Sequence, residues 1–341
     1  MNAILKKDIE KFVKTFKLAD SLSNTSFLIT GGTGLIGSIL IHSLIALNKN
    51  IKILAPVRNM QKALSMFSKY ELQYIRFIEC DLLSYNYNHI DLVDYIVHCA
   101  GPTASKYFVS CPVETFNSII ISTQQILKYA KLHPIKGFVY LSSLEIYGTI
   151  SDDVKYISED YQGYLDPMSI RSCYPIAKRA TENICASYAD EYHVPIKIAR
   201  LTQTTGAGVS DNDDRVIVQF SRLASQNKDI ILYSLGNAAR PYCYTMDCVS
   251  AILYILLKGN VGEAYNIANQ ESYISAKNLA YFIRDNFAPQ INIRTEIDDN
   301  KGYAPETKIK LSTNKLYQLG WRPKYSLYDI IDNVIASFNC N

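Results

Sequence analysis

Tyr174 and Lys178 stand four residues apart in Tyr174-Pro-Ile-Ala-Lys178, so a helix would carry the phenol and the ammonium on one face. A tyrosine titrating near pH 10 is a poor base at neutral pH, and an ammonium one turn away favours its phenolate. Ser143, at the end of the apolar stretch 137–142, offers a hydroxyl to the same substrate oxygen. Together the three side chains make a proton relay suited to interconverting an alcohol and a ketone. Tyr-x-x-x-Lys arises by chance in many proteins, so the surrounding elements decide whether this pair works.

The most telling of these elements is Ser-Phe-Leu-Ile-Thr-Gly-Gly-Thr-Gly-Leu-Ile-Gly at 26–37. A short apolar strand runs into Gly31, Gly34 and Gly37, and the helix pattern Leu35, Ile36, Ile39, Leu40, Leu44 follows. Gly31 permits the tight turn, Gly34 lets backbone approach a pyrophosphate, and Gly37 lets helix and strand pack closely. The free N–H groups of the first helical turn, with Thr33, Leu35 and Ile36 around them, form an anion cradle for a dinucleotide. An oxidised nicotinamide beside Tyr174 would lower its pKa further and exchange hydride at C4.

Strands and helices alternate through the first half as a parallel sheet requires. Strands are predicted at 51–57, 74–79, 94–99, 137–142 and 195–201, with helices from Met60, over 112–132 and over 175–192. Loops after strands place Arg58, Asp81-Leu82 and Cys99-Ala100-Gly101 along the sheet edge that carries Ser143. The expected fold is α/β, a Rossmann doubly wound parallel sheet with a smaller, discontinuous C-terminal substrate-binding lobe. Beyond Leu201 the alternation loosens into a loop with Gly206, Gly208 and Asp211–Asp214. A helix near 215–227, a strand near 230–233 and a helix near 247–258 follow, then an irregular 291–326 with Pro305 and Pro323. The domain division is a helical extension over 1–25, a dinucleotide-binding unit over 26–201, and a lobe over 202–341. Segments at about 236–270 return from that lobe to the first unit.

Bulk composition narrows the field. With 341 residues, a net charge of +3 and no dense Lys/Arg cluster, nucleic acid is not an expected partner. The first 25 residues intersperse Lys6, Lys7, Lys11, Lys14 and Lys17 with apolar residues, unlike a signal peptide. Ile4, Leu5, Ile9, Phe12, Val13 and Phe16 fall at helical spacing, an amphipathic helix expected to pack on the body rather than on a membrane. No stretch approaches the roughly 20 apolar residues of a spanning helix. Eight cysteines without Cys-x-x-Cys or histidine partners read as thiols of a reducing cytoplasm, with no metal site.

These residues bring a family into view. From about 24 to 330 the chain resembles an extended short-chain dehydrogenase/reductase of the nucleotide-sugar epimerase/dehydratase kind. The likeness rests on Thr30–Gly37, Asp81-Leu82, Ser142-Ser143-x-Glu145-x-Tyr147-Gly148 and Tyr174/Lys178. It continues through 200–208, 240–247, 265–269 and Leu319-Gly320-Trp321-Arg322-Pro323. Around Arg171-Ser-Cys-Tyr174 and Arg215-Val216 it is most similar to UDP-glucuronate decarboxylases. The resemblance implies Tyr174 and Lys178 as catalytic and cofactor-binding residues, and adenine contacts from Asp81 and Leu82. It further implies Arg215 among the substrate contacts, Gln203 in place of an asparagine on the nucleotide-sugar phosphate, and Arg240 on the diphosphate. A homodimer through the helices at 112–132 and 175–192 is also implied.

Four departures bear on the reaction. Ala55-Pro-Val-Arg58-Asn59 puts an arginine where NAD-dependent relatives carry an acid, which suits a 2′-phosphate and leans the cofactor, NAD or NADP, to NADP. Leu144 replaces the aspartate that expels water in 4,6-dehydratases, leaving Glu145 as the available acid or base. Lys308 stands nearest to the arginine that decarboxylases use, and cannot make its bidentate fork. Ile119 falls where an asparagine is common. The family default is epimerisation or decarboxylation of a nucleotide sugar, with a product bound for surface polysaccharide. Reduction of a nucleotide-linked keto sugar by NADPH, such as a CDP-pentulose to a CDP-alditol, stands beside it. A non-catalytic dinucleotide sensor would lack the Tyr/Lys pair. A reductase of small free carbonyl compounds would have no use for a diphosphate clamp at Arg240.

Overall fold

The computed structural model describes residues 1–151, 153–298 and 307–339; Pro305, named above, and Cys340, one of the eight cysteines, lie outside them. Among the described residues twelve strands form in chain order. They are Ser26–Thr30 (β1), Lys52–Val57 (β2), Ile75–Glu79 (β3), Tyr95–His98 (β4), Gly137–Ser143 (β5) and Ile196–Leu201 (β6). Gln203–Thr205 (β7), Ile230–Leu232 (β8), Ala239–Tyr244 (β9), Ala264–Ile267 (β10), Asn269–Ser275 (β11) and Ile293–Thr295 (β12) complete them. The helices are Ala3–Thr15 (α1), Leu35–Ala46 (α2), Met60–Met66 (α3), Ser105–Ser110 (α4), Pro112–Leu132 (α5) and Cys173–Tyr192 (α6). Val216–Ser225 (α7), Thr245–Lys258 (α8), Ala276–Phe287 (α9), Asn314–Gln318 (α10) and Leu327–Asn339 (α11) follow.

Seven strands build one parallel sheet in the order β10-β6-β5-β4-β1-β2-β3. All six residues of β6 are buried, as are all four of β4, because helices cover both faces. On one face lie α2 and α8; α2 is apolar almost all round, and nine of its twelve residues are buried. On the other face α5 and α6 pack together over a second core that includes Ile126, Leu127, Tyr129 and Cys185. The predicted α/β doubly wound sheet is the observed one. Its strand order reverses between β1 and β4, and this crevice is where such sheets take ligands.

The remaining strands form two small sheets, β11-β9-β7 and β12-β8. Residues 202–339 do not all stay there: β10 adds a seventh strand beside β6, and α8 packs on α2, β5 and β6. Where an irregular 291–326 was expected, β12 and α10 form short elements. Helix α1 buries Leu5, Ile9, Phe12 and the adjoining Phe16 against the body, touching α2, α8 and α11. Its stripe is therefore spent on the protein's own core. No helix among the described residues is long and apolar enough to cross a membrane.

Candidate active site

The carboxyl ends of β1, β4 and β5 converge, and each delivers part of one constellation. Gly31 has φ +67°, and a Cβ there would lie 2.9 Å from the Ala100 nitrogen on the neighbouring strand end. A Cβ at Gly37 would run into the Gly31 carbonyl, so helix and turn meet with no room for a side chain. Gly34 caps α2 without any side chain, leaving the amides at the helix start to an outside acceptor. Thr33, Leu35 and Ile36 line this turn half-buried. Opposite it run Cys99, Ala100 and Gly101, tied back by Ala100 N donating to Thr30 Oγ1 at 3.2 Å. A Cβ on Gly101 would stand 3.7 Å from Lys178 Nζ, so this backbone cup opens directly onto the lysine. A bare cradle with a cation at its edge fits the phosphates and ribose of a dinucleotide.

Helix α6 brings Tyr174 and Lys178 to this edge on one face. Lys178 Nζ donates to the Leu141 carbonyl at 2.7 Å and sits 4.7 Å from the Tyr140 ring and 5.9 Å from the Tyr174 ring. Burial pulls its pKa down to about 8, against the pull of Glu182. That carbonyl is its only hydrogen-bond acceptor among the described residues, which leaves two of three ammonium protons uncommitted. Burial, then the Glu145 carboxylate, push Tyr174 well above the ordinary tyrosine value, while a hydrogen bond with Ser143 and the charge of Arg171 pull it back. Ser143, the last residue of β5, lies beside the phenol. At rest the phenol is a proton donor.

Sequence reasoning did not find what lies around Tyr174. The Phe108 ring stacks on the phenol with centroids 4.2 Å apart and planes 9° from parallel. Arg171 covers Phe108 at 4.9 Å and pairs with Glu145 at 3.0 Å. Ile119, Phe108, Tyr174 and Ala177 form one small apolar cluster. An asparagine at 119 would be buried there, whereas isoleucine completes the wall. Glu145 is thus an ion-paired carboxylate beside the relay, and its amide caps onto Ser143 Oγ at 3.2 Å. Leu144 is buried in a third cluster with Ile146 and Tyr147, so no acid stands in its place.

Other predicted residues take two positions. Gln203 begins β7, just past Leu201, which pairs in register with Ser143. Its Oε1 is buried and has no partner among the described residues. Arg240, on the adjoining β9, is half-buried, and its side chain makes no hydrogen bond or ion pair among the described residues. Arg215 is held by Asp213, with Nε 2.9 Å from Oδ1, and donates to the Thr204 carbonyl. Arg58 and Lys308 lie at the margins, both exposed; Lys308 bridges through its backbone to Ala239, beside Arg240. Asp81 is exposed and accepts from its own turn at Leu83 N, 3.0 Å away, while Leu82 leans on the second core. Glu79, the last residue of β3 and the partner of Val57 across the sheet, accepts from Met60 N at 3.1 Å, while the end of β2 itself carries Arg58 and no acid.

Comparison with known proteins follows the same lines. Residues 27–268 match the profile of the NAD dependent epimerase/dehydratase family. UDP-glucuronic acid decarboxylase 6 of Arabidopsis thaliana is 29% identical over 311 residues, covering 89% of this chain and 86% of the relative. Among solved structures, UDP-glucuronic acid 4-epimerase from Bacillus cereus in complex with NAD superposes with a TM-score of 0.74 at 22% identity, over 92% of this chain and 98% of that one. RMD from Pseudomonas aeruginosa, complexed with NADPH, does so with a TM-score of 0.71 at 19% identity, over 92% and 98%. At such identities the structural likenesses establish the fold.

Proposed function

The chain belongs to the NAD dependent epimerase/dehydratase family, and from that premise we propose that it modifies a nucleotide-activated sugar by hydride transfer at a sugar carbinol, in an epimerase or decarboxylase cycle. The observation that carries this is the meeting of Tyr174, Lys178 and Ser143 beside an open glycine cradle. Gly31, Thr33, Gly34, Leu35, Ile36 and Gly37 would hold the dinucleotide's pyrophosphate, Asp81 and Leu82 its adenine, and Cys99, Ala100, Gly101 and Lys178 its nicotinamide half. Bound there, the dinucleotide supplies a carbon that accepts hydride and returns it.

The chain's own residues manage the proton. In its phenolate form, which the Lys178 ammonium stabilises, Tyr174 would take the proton from the sugar hydroxyl on oxidation and, as the phenol, give it back on reduction, while Ser143 holds that oxygen in line. Gln203, Arg215 and Arg240 bring one amide and two guanidinium groups to the side where a diphosphate would lie, with hydrogen-bonding capacity unspent at Gln203 and Arg240. Phe108 and Ile119 wall the relay with apolar surface, which excludes water from the ketone stage. With Leu144 buried and apolar, 4,6-dehydration has no acid at the usual place. The relatives named UDP-glucuronic acid decarboxylases favour a uridine nucleotide and a uronate. Lys308, exposed and without a fork, favours epimerisation over loss of the carboxylate. Pairing of two copies through α5 and α6 belongs to the same reading, supported by Val113 and Leu132, which stand exposed on α5.

A second reading, reduction of a nucleotide-linked keto sugar by dissociable NADPH, is favoured by Arg58, exposed at the end of β2 and unpaired among the described residues. Both are tested by denaturing freshly purified protein and identifying the released dinucleotide by mass spectrometry. Near-stoichiometric NAD supports a cofactor recycled within each turnover. An empty site that NADPH alone fills supports the reductase. Protein that releases no dinucleotide and binds none of NAD, NADH, NADP and NADPH in titration calorimetry would overturn both.

A further inference from the structure

Helix α1 carries a residue that its packing does not require. Leu5, Ile9, Phe12 and Phe16 would seat the helix by themselves, yet Asp8 is buried among them at 5% exposure. Burying a carboxylate is costly unless it is fully bonded. Here both oxygens accept hydrogen bonds, Oδ2 from the Tyr244 hydroxyl at 2.5 Å and Oδ1 from the Tyr325 hydroxyl at 3.0 Å. Lys11, one turn on, lies 4.0 Å over the Tyr325 ring.

Tyr244 leads from this acid toward the candidate site. Having donated its proton to Asp8, its oxygen accepts from the Ala207 amide at 3.4 Å. Ala207 is the second residue of the loop 206–214. Gly206 presses on Tyr244 and Thr245 so closely that a Cβ would lie 2.6 Å from Thr245 Oγ1. Leu5 of α1 stands next to Gly208, which has φ +91°. The far end of the loop carries Asp213, which fixes Arg215, and Asp214, which meets Lys106 of α4 at 2.8 Å. Helix α4 in turn carries Phe108 onto Tyr174. Helix α1 lies ahead of residue 27, where the family match begins.

We propose that α1 is a working part of the substrate site, with Asp8 a positioning residue that holds the loop 206–214, and hence Arg215, in place through the Tyr244 hydroxyl. The proposal rests on the reading of that loop as one wall of a nucleotide-sugar site, and it names a determinant outside the family segment. Tyr325 supplies an internal control, because it also bonds Asp8 but has no bond to the loop.

The test uses the full chain, uridine diphosphate as probe, titration calorimetry, and hydrogen–deuterium exchange of the amides 206–214. In Tyr244→Phe and Asp8→Asn the dissociation constant for uridine diphosphate should rise about tenfold, while that for the dinucleotide stays within about twofold. Loop amides should exchange about tenfold faster in both variants. Tyr325→Phe should leave probe affinity and loop exchange within about twofold of the parent. Should Asp8→Asn not fold, Tyr244→Phe against Tyr325→Phe decides alone. Unchanged loop exchange in Tyr244→Phe, or an equal change in Tyr325→Phe, would overturn the proposal. If the parent protein itself does not bind uridine diphosphate, the substrate reading falls, and loop exchange still decides the role of Asp8.

Discussion

Two regions of this molecule bury ionisable groups among aromatic rings, and they do so to opposite ends. At the sheet edge, among the described residues, Lys178 has one acceptor, Gln203 Oε1 has no donor, and the Arg240 guanidinium has no acceptor. On the far side, Asp8 and Asp247 are saturated. Asp8 accepts from two tyrosines, and Asp247 accepts three backbone bonds at 3.0–3.1 Å, two from Lys324 N and one from Tyr325 N. Burial shifts pKa values strongly in both places, holding Lys178 down at about 8 and Asp247 up at about 7. A perturbed pKa therefore does not separate a site from a strut. Unspent hydrogen-bonding capacity beside an open cradle does, because a folded chain seldom leaves such groups unpaired without a ligand to meet them.

The comparison breaks first at Tyr174. Tyr174→Phe should lower turnover at least about a hundredfold, the scale of a lost acid–base group, with little change in melting temperature. Near-normal turnover would move the chemistry elsewhere. Next is Arg240→Ala, expected to weaken uridine diphosphate binding about tenfold or more while dinucleotide affinity holds; an unchanged value relocates the diphosphate. Lys178 sharpens the contrast by pH. Its ammonium is lost as pH rises through about 8, so turnover should fall along that limb. In Lys178→Arg the fall should move beyond pH 10, since a guanidinium keeps its proton. A profile flat to pH 9.5 in the parent would detach Lys178 from the relay. Smaller still is Arg58→Ala, expected to weaken NADPH about tenfold and NADH within about twofold; equal effects would mean that Arg58 does not read a 2′-phosphate.

How far the sequence foretold each region follows from the range of its contacts. Local pattern suffices for the cradle at 31–37 and for Tyr174 over Lys178. Each is a few residues of one turn, and buried parallel strands read as plain apolar runs. Helices α5 and α6 came within two residues of their predicted ends for the same reason. Phe108 escaped notice because α4 has only six residues, too few to show a period, and its ring meets Tyr174 from 66 positions away. Asp8 lies 236 positions from Tyr244 and 317 from Tyr325. Its burial could not be inferred from a helix whose charged residues otherwise face water. The apolar stripe of α1 was legible; the acid beneath it was not.

The last expected effect leaves turnover almost untouched and concerns stability, which sets the rear cluster apart from the relay. Burial raises Asp247 from an ordinary aspartate value to about 7, against the pull of the Lys324 and Tyr325 amides. Below about pH 4 the carboxyl is protonated in folded and unfolded chains alike, and burial then costs little. As pH rises toward 7 the unfolded chain releases this proton while the folded one retains it, so the unfolded state gains and folding stability falls. Asp247→Asn cannot ionise and lacks this slope. The stability difference between parent and variant should therefore shift against the parent from about pH 4 to about 7, by denaturant unfolding at each pH, and level off above. Turnover measured at pH 8 should stay within about twofold, since Asp247 touches no part of the relay. A difference that grows in the parent's favour over that range would mean that its two amide donors, Lys324 N and Tyr325 N, outweigh burial. Asp247 would then be an ionised clamp, and the rear cluster would resemble the relay more than its saturated bonds suggest.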